Sequence, residues 1–177
     1  MSDKKEKCLI IGKSGSGKDY LLRGLIKNGL KYSPKFTTRP MRSLEKQGVD
    51  YDFITDKDFF DMKDNNQIKV YQRIPVINNQ IWYYGYTKES FDDNQVFIMT
   101  PHELSQLSKE DLKGTFIVYL DIDMDIRRKR ITGRNDKSDS IERRLQGDEV
   151  DFKGFNHYDL KITDPEFEPE WVYDLMD

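Results

Sequence analysis

Residues 12–18 read Gly12-Lys13-Ser14-Gly15-Ser16-Gly17-Lys18, and this stretch decides the fold. It fits G-x-x-x-x-G-K, the phosphate-binding loop or Walker A pattern. It also stands in the context that gives the pattern meaning. Before it runs the apolar stretch Cys8-Leu9-Ile10-Ile11, which reads as a buried strand. After it, over 18–27, Leu21, Leu22, Leu25 and Ile26 fall on one side of a predicted helix. Glycines let the backbone curl so that several N–H groups converge on phosphate oxygens. The helix N-terminus adds its partial positive charge. Lys18 is then placed to reach the β- and γ-phosphates of a nucleoside triphosphate. Gly12, Lys13, Ser14, Gly15, Ser16, Gly17 and Lys18, with the adjoining Asp19, are therefore the candidate ATP-binding residues.

Asp19 departs from the pattern, because serine or threonine normally follows the lysine and ligates Mg2+. A carboxylate is also a hard oxygen ligand and can hold the ion directly or through water. Alternatively, Asp19 does no more than stabilise the positive end of the helix. Both readings stand at this point.

Outward from the loop, short apolar runs alternate with longer periodic segments, which predicts an α/β fold with a mostly parallel central sheet. Buried strands are expected over 8–11, 95–99 and 115–120, with a short strand over 51–54 and a last one over 160–163. Helices are expected over 18–27, 57–65 with Asp56 as N-cap, 101–107 with Pro101 in its first position, a basic one from 126, 141–149 and 169–176. Residues 68–77 and 80–87 read as a hairpin across Asn78-Asn79. The basic stretch 31–42, broken by Pro34 and Pro40, reads as a loop or irregular strand, and 133–140 as a polar segment.

With 177 residues, the chain suits one domain. Hydrophobic residues make up 36%, charged residues 34% and aromatic residues 12%, a polar but foldable balance. A net charge of −3 gives no overall field that would draw a nucleic acid or a membrane surface. No apolar run approaches the ~20 residues needed to span a bilayer. The charged start Met1-Ser2-Asp3-Lys4-Lys5-Glu6-Lys7 has no signal-type apolar region after it, so a cytoplasmic location is expected. Cys8, alone, cannot form an internal disulfide, and its apolar run makes it a small buried hydrophobe.

The second informative stretch is Thr37-Thr38-Arg39-Pro40-Met41-Arg42-Ser43-Leu44-Glu45-Lys46-Gln47-Gly48-Val49-Asp50-Tyr51-Asp52-Phe53. Two arginines three residues apart can clamp one phosphate with planar, bidentate forks, and Tyr51 can add a hydrogen bond. Read as a whole, the stretch resembles the guanylate kinase signature, Thr-Ser/Thr-Arg-x2-Lys/Arg-x2-Asp/Glu-x2-Gly-x2-Tyr-x-Phe/Tyr, at every fixed position. The resemblance extends more weakly across nearly the whole chain.

That resemblance implies a three-layer α/β/α kinase fold with a core formed by 1–33, 88–126 and 149–177. It also implies an acceptor-binding region over 34–87 and a lid over 127–148. It implies transfer of the γ-phosphoryl of ATP, with Mg2+, to GMP, dGMP or a related nucleotide. Small-molecule nucleotides are the implied partners, with no nucleic acid or membrane, and the chain is expected as a monomer or homodimer. Arg39, Arg42, Tyr51 and Tyr84 match the residues that hold the acceptor phosphate, and Glu45 the acidic member of the loop. Arg130, Arg134 and Arg144 match the arginines that close over the transferring group. Arginines on a mobile segment neutralise a loose phosphoryl transition state only once both substrates are bound.

Departures concentrate where the family reads guanine. Lys35, Lys69, Tyr86, and Thr100 with His102 stand at its polar contacts, and a lysine cannot accept a hydrogen bond. Thr100 is kept as a candidate acceptor-binding residue, and Asp121, at the end of the 115–120 strand, as a second candidate metal ligand beside Asp19. His102 and His157 have no second ligand at helical spacing and read as surface or packing residues. Two alternatives remain. One is a kinase for a non-guanine or modified nucleotide or for ribose 1,5-bisphosphate, since Gly-Lys-Asp also resembles the loop of ribose 1,5-bisphosphate phosphokinases. The other is a non-catalytic interaction module of the same fold.

Overall fold

A computed structural model describes residues 5–76, 79–133 and 141–176. In chain order the elements are β1 (Lys7–Gly12), α1 (Lys18–Lys27), β2 (Phe36–Thr37), β3 (Asp52–Phe53), α2 (Asp56–Asp64), β4 (Ile68–Pro75), β5 (Ile81–Thr87) and α3 (Lys88–Asp93). There follow β6 (Val96–Met99), α4 (Pro101–Leu104), β7 (Thr115–Leu120), α5 (Met124–Gly133), α6 (Ile141–Asp151), β8 (Leu160–Ile162) and α7 (Pro169–Asp174).

The core sheet has the order β6-β1-β7-β8 with every pairing parallel. β1 is hydrogen-bonded on both sides and buried on both faces, which is why it reads as one unbroken apolar run. Successive side chains point to opposite faces. Cys8 and Ile10 pack with Leu21, Leu25, Phe167 and Val172 under α1 and α7. Leu9 and Ile11 pack with Phe97, Met99, Tyr86, Phe91 and Phe152 on the other side. The result is the expected α/β/α layering. Cys8 is fully buried, and burial pushes its thiol up to about 12, so it behaves as the inert small hydrophobe expected. No helix among the described residues is long and apolar enough to cross a membrane.

A second sheet, β3-β2-β5-β4, carries the acceptor stretch. β4 and β5 form the expected hairpin, closed by the Val76 N–H to Gln80 carbonyl bond at 2.9 Å. Asn79 sits at φ 58°, and Asn78, the other expected turn residue, lies outside the described residues. Gly85 has to be glycine, since a Cβ there would stand 2.2 Å from the Val70 carbonyl oxygen and 2.7 Å from the Phe36 ring.

Several boundaries differ from expectation. Thr55, not Asp56, caps α2: its hydroxyl accepts the Asp58 N–H while Asp58 accepts the Thr55 N–H, a reciprocal capping box. α3 was not foreseen, because among its six residues Phe91 is the buried one and no apolar period announces it. α4 ends at Leu104, sooner than predicted. The 31–42 stretch is not wholly irregular, for Phe36–Thr37 pairs with both β3 and β5.

Candidate active site

In the core sheet, Ile11 is level with Met99 and Gly12 with Leu120, so the carboxyl ends of three parallel strands open at one edge. Ligands of open α/β sheets bind at that edge. The phosphate loop leaves β1 there, Thr100 follows β6 and Asp121 follows β7. The second sheet faces the same edge, and between them lies a cleft of about 700 Å³, a size typical of small-molecule sites.

The phosphate loop takes the shape its sequence predicts. Gly15 and Gly17 have φ of +74° and +99°, and a Cβ on Gly12 would meet Ser16 Oγ at 2.5 Å. Lys18 Nζ donates to the carbonyls of Gly12 (2.8 Å) and Lys13 (3.0 Å), arching over the loop whose ligand it is placed to meet. Ser14, Lys18 and Asp19 line the cleft. Asp19 is exposed and close enough to Tyr32 and Tyr51 to add to the upward shift that burial gives both phenols. It therefore faces the cleft and not only the helix start. Among the described residues no three His, Cys, Asp or Glu side chains gather into a metal site. One carboxylate beside the loop lysine nevertheless fits Mg2+, which takes one or two carboxylates and completes its shell with phosphate oxygens and water. Asp121, the other candidate, does not line the cleft. It pairs with Lys161 at 2.8 Å and accepts from the Tyr119 hydroxyl at 3.1 Å. Burial opposes its charge, but those two partners hold its carboxyl below the usual range.

At the acceptor end the cleft is lined by Arg42, Tyr51 and Tyr84. Arg39 lies behind them, 5% exposed, with its fork turned onto Glu45 at 2.6 and 2.9 Å and its guanidinium 5.3 Å from the Tyr51 ring centroid. Burial disfavours the Arg39 charge, yet Glu45 and Tyr84 together outweigh it and raise the guanidinium's pKa. The arginine pair read from spacing is thus asymmetric: Arg42 faces the cleft, while Arg39 forms an internal ion pair and braces the wall. Burial, then the neighbouring Tyr84, push the Tyr51 phenol up to about 12, so it stays a protonated donor at neutral pH.

From α6, Arg144 lines the cleft, together with Arg143, which sequence reasoning passed over. Arg130 lies elsewhere: it donates to the Gly15 carbonyl at 3.3 Å and the Pro165 carbonyl at 2.9 Å, on the flank of the phosphate loop. Arg134 lies outside the described residues, as does the rest of 134–140. Arg127 is not part of a solvated basic face; it is 2% exposed, bonded to the Ile122 carbonyl and set against Asp148 and Glu149. Those two acidic residues of α6 hold the phosphate loop itself. Asp148 accepts the Ser14 N–H at 2.9 Å and Glu149 pairs with Lys13 at 2.8 Å.

The inner end departs from the expected alignment. Lys69 points away from the cleft to Asp111 at 2.5 Å, because β4 alternates its side chains and its register shifts between Ile68 and Val70. Gln72 is the polar β4 residue that lines the cleft, with Ile74 beside it. His102 and His157 are exposed, as expected of surface residues. Thr100 both lines the cleft and caps α4, its hydroxyl accepting the Glu103 N–H at 3.2 Å. Glu103, unremarked in the sequence, is fully buried and ion-paired to Lys35. Nothing local in the sequence announces that pair, since its members are 68 positions apart.

Comparisons with known proteins agree with this geometry. The family model described as guanylate kinase matches residues 4–173. A guanylate kinase of Photorhabdus laumondii is 30% identical over 170 residues, covering 90% of this chain and 80% of that relative. One of Mycoplasma genitalium is 31% identical over 173 residues, covering 90% and 69%. The crystal structure of guanylate kinase from Anaplasma phagocytophilum superimposes with a TM-score of 0.66 at 17% identity, over 98% of this chain and 85% of that one.

Proposed function

The chain belongs to the guanylate kinase family, and from that premise we propose that it transfers the γ-phosphoryl group of ATP to the phosphate of GMP or dGMP. One observation carries the reading: a phosphate loop with its lysine and a phosphate-gripping Arg42–Tyr51–Tyr84 wall line one cleft from opposite sides. Two anionic substrates can therefore meet end to end. The acceptor phosphate attacks in line, so the protein's contribution is positioning and charge neutralisation.

Lys18 exchanges its loop carbonyls for the β- and γ-phosphates of the donor. Arg42, Tyr51 and Tyr84 orient the acceptor, and Arg39 with Glu45 holds that wall in place. Arg143 and Arg144 approach the transferring group from α6, and Arg130 reaches the donor side of the loop. Mg2+, when bound with ATP, screens the phosphate charges, and Asp19 is the side chain placed to hold it. The residues read as ATP's are thus Gly12 to Asp19, and those read as the acceptor's are Arg42, Tyr51 and Tyr84, with Thr100 further in. The reaction is assigned to the cytoplasm.

The test is ADP release with ATP, Mg2+ and GMP or dGMP. Lys18→Ala is expected to lower kcat by roughly 10²–10³-fold, the cost of removing one preorganised charge donor. A Lys18→Ala variant that turned over at the normal rate would end this mechanism.

A further inference from the structure

The inner end of the cleft holds a charged device to which the mechanism above gives no task. Lys35 lines the cleft and its Nζ stands 2.7 and 2.6 Å from the two carboxylate oxygens of Glu103. Glu103 has no exposed surface, and it also accepts the Thr100 N–H at 2.8 Å, which pins it to the start of α4. The Lys35 ammonium lies 5.5 Å from the Tyr86 ring centroid. Tyr86 itself is committed to the backbone of β6, its hydroxyl accepting the Ile98 N–H at 3.1 Å and facing the Ile98 carbonyl at 3.3 Å.

An ammonium has three protons and no acceptor. Two of them meet Glu103, and the third is left for an acceptor on the cleft side, where Lys35 is part of the lining. Tyr84 and Tyr86 both line the cleft two residues apart on one face of β5, about 7 Å along the strand. A nucleotide whose phosphate rests on Tyr84 therefore carries its base toward Tyr86 and Lys35. Among the described residues the carboxylates that line the cleft are Asp19 and Asp50, and both belong to the phosphate end. Asp19 adjoins Lys18, and Asp50 adjoins Tyr51 and accepts the Lys46 N–H at 2.8 Å. Glu103 lies behind Lys35.

We infer that the Lys35–Glu103 pair selects the base: Lys35 donates one hydrogen bond to the 6-oxo oxygen of a purine, while the N1–H and 2-amino edge meets no carboxylate of the described residues. Guanine and hypoxanthine both carry that oxygen. Adenine carries an amino group there, which sets donor against donor. Glu103 is the positioning residue that keeps the ammonium aimed. The inference rests on the kinase reading and adds which feature of the acceptor is recognised.

The experiment is steady-state ADP release by the full chain with GMP, IMP and AMP, for the wild type, Lys35→Met and the double variant Lys35→Met with Glu103→Met. The double variant leaves no buried carboxylate without its partner, so it reports on selectivity even where the single variant folds poorly. The wild type is expected to use IMP within about 10-fold of GMP in kcat/KM and AMP at least about 100-fold less well. Both variants are expected to lose about 10- to 100-fold in kcat/KM for GMP, the range for a charged hydrogen bond. Their GMP to AMP ratio should fall toward one while the KM for ATP is unchanged. A purely structural role would not move that ratio. Folded variants that keep the wild-type ratio, or a wild type that refuses IMP as it refuses AMP, overturn the base-selecting role and leave the kinase standing. Absence of ADP release with all three nucleotides overturns the kinase reading and this one with it.

Discussion

Glu45 accepts two hydrogen bonds from the Arg39 guanidinium and one from the Arg42 N–H at 2.8 Å. It thereby shapes the loop that presents Arg42 to the cleft. Glu45→Gln keeps the size of the side chain but loses the charge that balances a nearly buried arginine. A rise in the KM for GMP of about 10-fold is expected, one charged hydrogen bond's worth, with the KM for ATP unmoved in the same assay. The Arg39 partner, and next the Arg42 N–H against the opposing effect of burial, hold the Glu45 carboxyl below its ordinary value of 4.5. A carboxylate with a depressed native pKa stabilises the fold above its unfolded pKa, and that contribution is lost as pH falls through the native value. The stability that Glu45 contributes should therefore be fully present above about pH 4.5 and be lost below it as the carboxylate protonates. In Glu45→Gln that acid-side loss should be smaller when unfolding in urea is followed against pH.

At the scale of elements, α6 does two things one turn apart. Arg143 and Arg144 reach the cleft, while Asp148 and Glu149 grip the phosphate loop and face Arg127 beneath it. Arg144 and Asp148 are four residues apart and lie on one face of the helix. The helix thus links the phosphate loop to the two arginines that line the cleft. Arg128 of α5 pairs with Glu142 of α6, which ties the two helices together. Asp148→Ala removes the acceptor of the Ser14 N–H and a partner of buried Arg127. Unfolding in urea should show a loss of about 1–3 kcal/mol, the cost of leaving such groups unpaired, together with a higher KM for ATP. A variant as stable as the wild type would show that α6 does not brace the loop.

The whole molecule is an arrangement of two sheets that share one opening. The parallel sheet carries the phosphate loop, the mixed sheet carries the cleft wall that includes Tyr84, and helices α5 and α6 pack against the loop. Ligands that bind the native state alone stabilise it by mass action. ATP with Mg2+ at about 100 times its Kd is worth about 2.7 kcal/mol. For a chain of this length that corresponds to a rise in Tm of roughly 5–10 °C. A chain of the same fold that served only as an interaction surface would show no such rise, so the thermal shift separates the two.

Much of this was legible along the chain because it is local. The apolar run 8–11, the glycines of 12–17 and the lysine after them need only their neighbours to become strand, anion cradle and helix start. Cys8 was readable as core for the same reason. The signature stretch likewise placed Arg39, Arg42, Glu45 and Tyr51 in one loop. What remained hidden depends on contacts far apart in sequence. That Arg39 turns inward to Glu45 while Arg42 faces the cleft is a matter of burial, not spacing. That Lys69 leaves the cleft and Gln72 enters it follows from side-chain alternation along β4 and from its pairing with β5, whose register shifts between Ile68 and Val70. The pairing of Lys35 with Glu103, and of the α6 carboxylates with the phosphate loop, is made when separate segments pack. A side chain's charge is written in the sequence, but which charge it meets is settled by chain folding, because a buried ion must find its partner wherever the fold brings one.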